Sequence, residues 1–463
     1  MLLTRERDFY RQILRLTGFI AMQNVIACFV GLADNVMIGA YSQDALSGVA
    51  LANQVQFLLQ MLAGGLGEGM VVIAAQYWGT RRLEPIRRVL AIALVSAMGL
   101  SLLFFGIARW LPGPTLSLLT ADTGAIAEGA AYMRVIAYSY PFFCTGMIVL
   151  AAQRSIENVS VGIAASMAGL LVNIGLNWML IFGNLGCPRL GAQGAALATL
   201  VARIVEWSVA VGYTVWTDRK LAMPPAYFAK LDGALFKDYR RYGFPVLMAS
   251  GSWGIAMLIQ TAVLGHLGSD AIAANAIANS IFQVIAVVTY GISSASGVFV
   301  GKVVGSGDHS RIREYVRTLQ VLYLMIGIFS SAALFLCKDA ILAIYAVSPS
   351  AEAMANRFIL VLCVTVFGTA YQNPVLTGVV RGGGDTKFVF YNDLVFMWGI
   401  VLPASFLTAF VFHCDPVVVF ACLKADQVLK SFVAIWKVNG YGWVRRVTRD
   451  GESTPPQPVT QAP

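Results

Sequence analysis

Apolar runs of about 20 residues recur from one end of this chain to the other. Each is long enough to cross a hydrocarbon core about 30 Å thick as a helix. Only 12% of the 463 residues are charged and 58% are hydrophobic, whereas a soluble chain carries about 25% charged residues. The chain therefore reads as an all-α polytopic membrane protein. Twelve spans are expected near 12–39, 47–77, 85–111, 127–153, 157–184, 191–217, 240–267, 272–303, 311–337, 352–380, 387–412 and 415–437. The opening, MLLTRERDFYRQILRLTG, is charged and amphipathic and leads straight into the first span, which is not the pattern of a cleavable leader.

Basic residues are distributed unevenly among the connections. Arg5, Arg7, Arg11 and Arg15 precede the first span, and Arg81, Arg82, Arg87 and Arg88 follow the second. Six more cations, from Arg219 to Arg241, lie between the sixth and seventh. The alternate connections hold only Arg109, Arg189, Lys338 and Arg357. The positive-inside rule then places both ends of the chain in the cytoplasm, and a cytoplasmic (inner) membrane location is expected. On this reading the formal charge of +9 is a topogenic signal and not a sign of nucleic-acid binding.

The chain also repeats itself. SQDALSGVALAN at 42–53 returns as GSDAIAANAIAN at 268–279, with Asp44 and Asp270 separated by 226 residues. The same offset relates Gly39 to Gly265, Asn53 to Asn279, Gly65 to Gly291, Gly79 to Gly305 and Arg87 to Arg313. Arg154 and Arg381 nearly keep the phase. Two homologous six-helix lobes follow, 1–217 and 240–440, joined by a linker at 218–239 and followed by a polar, Pro-rich tail at 441–463 expected to be disordered. Six spans per lobe is an even number, so the lobes should be related by a pseudo-two-fold along the membrane normal, with a site between them.

Against this repeat, Asp34 stands out. It lies inside the first span, where an ionised carboxylate costs roughly 2.5–3.5 kcal/mol on insertion scales. Its partner by offset is Gln260, so the acid belongs to one lobe alone and points to function more than to folding. In the fifth span Asn173 and Asn177 are four residues apart and share a helix face; they suit a small cation or a carboxylate, or simply bind helices together. Thr199 lies in the small-residue stretch of the sixth span. Glu68, Arg203, Glu206, Asp393 and Asp426 are the remaining candidates, as a wider polar network. Arg203 and Glu206, at i and i+3, can equally pair with each other, and Asp393 and Asp426 can join Lys424 and Lys430 in structural ion pairs. The three histidines lie at or near span ends, and no H-E-x-x-H or G-x-S-x-G arrangement is present. An intramembrane enzyme is disfavoured accordingly.

DNVMIG, VVIAAQYWG, LLVNIGLNWMLIFG, LGAQGAALATL and VVRGGGDTKF, in this order and with the spacing from Trp398 to Pro403, resemble the multidrug and toxic compound extrusion (MATE) transporters over residues 10 to 445. The resemblance implies a secondary antiporter that exports organic, often cationic, solutes in exchange for H⁺ or Na⁺. It implies ion coupling at Asp34, joined by Asn173, Asn177 and Thr199, with Asp34, Asn173 and Asn177 as ligands if the ion is Na⁺. No cofactor beyond that ion is implied, and the partners expected are the solute and the bilayer, with the protein a monomer. Some members carry Asp where this chain has Asn177, which leaves the ion open. Another branch has acids in the seventh and tenth spans; here those stretches read PVLMASGSWG and FGTAYQN. A lipid-linked precursor flippase of related fold is the alternative, and would need a basic central cavity, for which only Arg134 and Arg203 are candidates at mid-depth in the first lobe.

Overall fold

The computed structural model describes residues 3–120, 122–224, 226–229, 231–343 and 348–449. Among these residues twelve long helices form the first lobe, α1 (Arg7–Tyr41), α2 (Gln43–Gly79), α3 (Leu83–Trp110), α4 (Thr123–Ser155), α5 (Ser160–Phe182) and α6 (Ala192–Asp218), and the second, α7 (Gly233–Gly265), α8 (Ser269–Ser306), α9 (His309–Leu342), α10 (Pro349–Val380), α11 (Thr386–Val411) and α12 (Pro416–Asn439). Eleven are long and apolar enough to cross a membrane. The exception is α12, whose 24 residues include Lys424, Asp426, Lys430 and Lys437. Where α10 and α11 open into wider turns at Pro374–Val380 and Val395–Val401, the irregular backbone is kept inside a helical bundle that re-satisfies its hydrogen bonds.

Helix starts follow local chemistry. Ser42 caps α2 by accepting from the Ala45 amide, Asp232 caps α7 by accepting from Ala234 and Leu235, and Asp415 caps α12 by accepting from Val417. Each cap satisfies amides that the first helical turn leaves unpaired. The Asp232 cap starts the second lobe at Gly233, so the connection between lobes is shorter than the 218–239 linker read from the sequence.

The repeat has a direct structural counterpart. A Cβ on Gly79 would overlap the carbonyl of Lys302, and one on Gly305 would overlap the carbonyl of Gln76. Gln76 and Lys302 are themselves 226 residues apart, so α2 and α8 cross through one reciprocal contact about a two-fold. Gly65 meets Leu247 of α7 while Gly291 meets Ala21 of α1, again at matched positions. Glycine is required at these crossings because backbone meets backbone.

The lobes are tied together at the end of the bundle that carries the arginine clusters. Glu68 of α2 takes Arg154 at 2.6 Å and Arg381 at 2.9 Å, and Lys302 takes Glu157 at 2.7 Å. The chain beyond α12 joins this contact. The sequence reading puts 441–463 in a disordered tail, but residues 441–449 pack. Trp443 is fully buried with its indole N–H on the Val438 carbonyl. The Gln76 side chain donates to the Arg445 carbonyl and accepts from the Val447 amide, and Arg449 pairs with Asp238. An apolar ring and a polar strand that fills its hydrogen bonds outweigh the low complexity of the stretch that follows. Residues 450–463 lie outside the described residues.

Candidate functional site

Along α5 a single stripe of small and polar residues, Gly162, Ser166, Gly169, Asn173 and Asn177, is buried. Its spacing of three and four residues puts it on one helix face. The small residues let α6 approach: a Cβ on Gly169 would sit 3.6 Å from the Ala202 carbonyl. The two asparagines are thereby pressed between α6 and α1. Asn173 and Asn177 are 1% and 0% exposed, so their amides must find partners within the protein.

They find them in a chain that ends on the acid. Asn177 Nδ2 donates to Asp34 Oδ1 at 2.5 Å and to Asn173 Oδ1 at 3.2 Å, and Asn173 Nδ2 donates to Thr199 Oγ1 at 3.3 Å. Asp34 itself is partly exposed. The Asn177 Oδ1 atom, by contrast, is buried with no hydrogen-bond partner. A carboxylate and an unpaired amide oxygen, backed by further oxygens on Asn173 and Thr199, form a set of hard donors that suits a proton or a small cation of the first group. Tyr132 of α4, 3% exposed, sits against Thr199 and within reach of the Asp34 charge. Tyr132 is not legible as a site residue from the sequence, because nothing in its own span distinguishes it from an ordinary core tyrosine.

The five residues offered as a wider network fall into three separate groups. Arg203 and Glu206 pair with each other at 2.6 Å, with Ser166 donating to Glu206 and the guanidinium lying over the Phe143 ring. Glu68 belongs to the inter-lobe contact with Arg154 and Arg381. Asp393 and Asp426 share Lys430, at 2.9 Å and 3.2 Å. Among the described residues no ion pair links the three, so there is no continuous network. The separation has a plain cause: α2, α6 and the α11–α12 pair carry these charges on faces that pack toward different neighbours. No group of three or more His, Cys, Asp and Glu side chains able to hold a metal ion occurs among the described residues.

The MatE family model matches residues 20–179 and 245–407, one segment in each lobe and well over half of the chain. The chain is 24% identical over 406 residues to the multidrug resistance protein PmpM of Pseudomonas aeruginosa, covering 87% of this chain and 84% of that protein. It is 23% identical to a probable multidrug resistance protein NorM of Thermotoga maritima, over 92% and 91% of the two chains. Its fold is that of the crystal structure of a MATE transporter in a bent conformation, with a TM-score of 0.83 over 94% of this chain and 95% of that one at 18% identity. An outward-facing MATE family transporter superposes with a TM-score of 0.82 over 95% and 99% at 18% identity. With a family model spanning both lobes and the two-lobe fold to match, this chain belongs to the MatE family, the multidrug and toxic compound extrusion transporters, and is a multi-pass membrane transporter and not an enzyme.

Proposed function

We propose that this protein exports small organic solutes in exchange for H⁺ or Na⁺, and that the ion acts at Asp34. The observation that carries the reading is the bond from Asn177 to the Asp34 carboxylate, continued through Asn173 to Thr199. While Asp34 is charged, the Asn177 amide is held by it. A proton or Na⁺ on the carboxylate weakens that bond, and Na⁺ would also take up the unpaired Asn177 oxygen. Either event changes how α1 rests on α5. The ion can then drive solute release only if the solute binds the two arrangements with different affinity.

With the arginine-rich end in the cytoplasm of an inner membrane, the joined lobes close the pathway on the cytoplasmic side. The cycle then runs by rocking of the two lobes, within a single copy of the chain. The flippase alternative loses its cations: Arg203 is neutralised by Glu206, and Arg134 is exposed on α4.

The test is export in everted or reconstituted vesicles with an imposed ion gradient. Asp34→Asn is expected to abolish gradient-driven export with protein levels unchanged. Full transport by this variant would sink the reading. Replacing Na⁺ with choline at fixed pH separates the two ions.

A further inference from the structure

In the second lobe, α7, α8 and α12 line a small cavity on the α8 side of α7, whereas the Asp34 site of the first lobe lies where α1 meets α5 and α6. Gln260, the repeat partner of Asp34, lines it together with Thr261, Asn275, Asn279 and Lys424. Asn279 is the repeat partner of Asn53. The depth matches too. At a 1.5 Å rise per residue, Gln260 and Asp34 each lie roughly 7 to 11 Å from the outer ends of α7 and α1. The volume is about 10 Å³, room for about one water molecule.

Lys424 has no obvious structural reason to be charged there. It is 8% exposed, and among the described residues its ammonium makes no hydrogen bond and no ion pair. Its neighbours are the faces of Phe282 at 5.4 Å and Phe420 at 5.7 Å. The charge of Asp426 reaches it, but the oxygens of that acid and of Asp393 are already engaged. Asp426 accepts from Lys430 and Gln427, and Asp393 accepts from Lys430. A second donor faces the same space. Asn275 accepts from Asn279 through Oδ1, which leaves its own amide nitrogen free to donate. The cavity therefore offers an ammonium without a direct partner and an amide, with the Asp426 carboxylate near but bound elsewhere. Relative to the Asp34 site, its charge is reversed.

We propose that this cavity receives a carboxylate oxygen of the transported solute, with Lys424 and the Asn275 amide as donors. The solute would then be a zwitterion or an amphipathic acid and not a simple organic cation. The proposal rests on the export reading given above for the choice of a solute as occupant. α7 and α8 are the helices through which this lobe meets the other, so a group seated between them joins the solute to the elements that move. A charge-assisted hydrogen bond in such a place changes binding by about tenfold or more.

Two dyes that differ only in this group provide the test: rhodamine 110, which bears a free carboxylate, and rhodamine 123, its methyl ester. Binding to the purified full-length protein is read by fluorescence anisotropy. The wild type is expected to bind the acid at least tenfold more tightly than the ester. Lys424→Met should abolish that preference while leaving the ester within about twofold, and Lys424→Arg should keep it. Asn275→Leu, which leaves the lysine in place, should reduce the preference and covers the case in which Lys424→Met does not fold. Equal binding of acid and ester by the wild type, or an equal loss of both in Lys424→Met, would overturn the proposal. Replacing chloride with isethionate, an anion that carries no carboxylate, tests the competing occupant. If a halide fills the cavity, ester binding depends on chloride, the acid gains nothing over it, and the proposal fails. Gradient-driven export of the ester does not need Lys424, so its absence in vesicles would count against the antiport reading alone.

Discussion

Asn177 carries two obligations with one side chain. Its nitrogen serves Asp34 and Asn173, while its oxygen is buried without a partner, a state that costs about 1–3 kcal/mol unless something fills it. On the proposed function, an entering cation would relieve that cost and so link ion binding to the conformation of the amide. Asn177→Ala is then expected to raise the half-saturating Na⁺ concentration about tenfold if Na⁺ is the ion, because the amide oxygen is lost as a ligand. If H⁺ is the ion, the same change should lower the half-saturating H⁺ concentration, because the carboxylate loses a donor that favours its charged form. Ion titration of export checks this, and an unchanged ion dependence would count against it. At the other face, Asp232 shows how a single cap sets pH dependence. The Leu235 amide, then the Arg88 guanidinium and the Ala234 amide, hold its carboxyl below the usual carboxylate range. A depressed folded value means the stabilisation is present above the unfolded pKa of about 3.9 and disappears as pH falls through the folded one. Asp232→Ala should cost about 1 kcal/mol near neutral pH. Thermal melts should show the gap from wild type closing below about pH 4.

At the scale of elements, the crossing of α2 and α8 is decided by what is missing from two positions. Gly79 and Gly305 each let a partner carbonyl occupy the space of a Cβ. Gly305→Leu should force the helices apart and destabilise the joined state by about 1–3 kcal/mol, the usual range for overpacking. A lowered Tm in lipid nanodiscs is the expected readout. Gly18→Ala provides the control, because nothing lies within 4 Å of its missing Cβ; its Tm should be unchanged or slightly higher. If both variants melt alike, the crossing is not limited by these glycines.

For the whole molecule, one acid answers a cation from each lobe. Arg154 and Arg381 end the fourth span of their respective lobes, and both reach Glu68. The repeat partner of Glu68 is Ser294, so one carboxylate close to the pseudo-axis answers two symmetric cations. Glu68→Gln would leave the two guanidiniums facing each other without the carboxylate they share. The three side chains are 15–24% exposed, which places the expected loss between surface and buried values, at about 2 kcal/mol. Thermal melts should show that loss, and adding Arg381→Gln should restore part of it. A double variant that melts no higher than Glu68→Gln alone would show that the arginines do not repel.

How much of this was legible beforehand follows from the range of each interaction. Hydropathy and the i, i+4 spacing are local, so the spans, the shared face of Asn173 and Asn177 and the isolation of Asp34 could be read along the chain. The repeat was legible because it is written twice. What lay beyond reach were contacts between residues far apart in sequence. Nothing near Glu68 names Arg381, 313 positions away, and nothing near Gln76 announces that residues 445 and 447 will close on it. The same holds for Lys424, whose lack of a partner becomes visible only once Lys430 is seen to hold both acids. Sequence by itself determined the helices, their duplication and the acid in the first span that breaks the symmetry. Tertiary structure alone decided which charges meet, because ion pairing inside a bundle depends on which helix faces are pressed together.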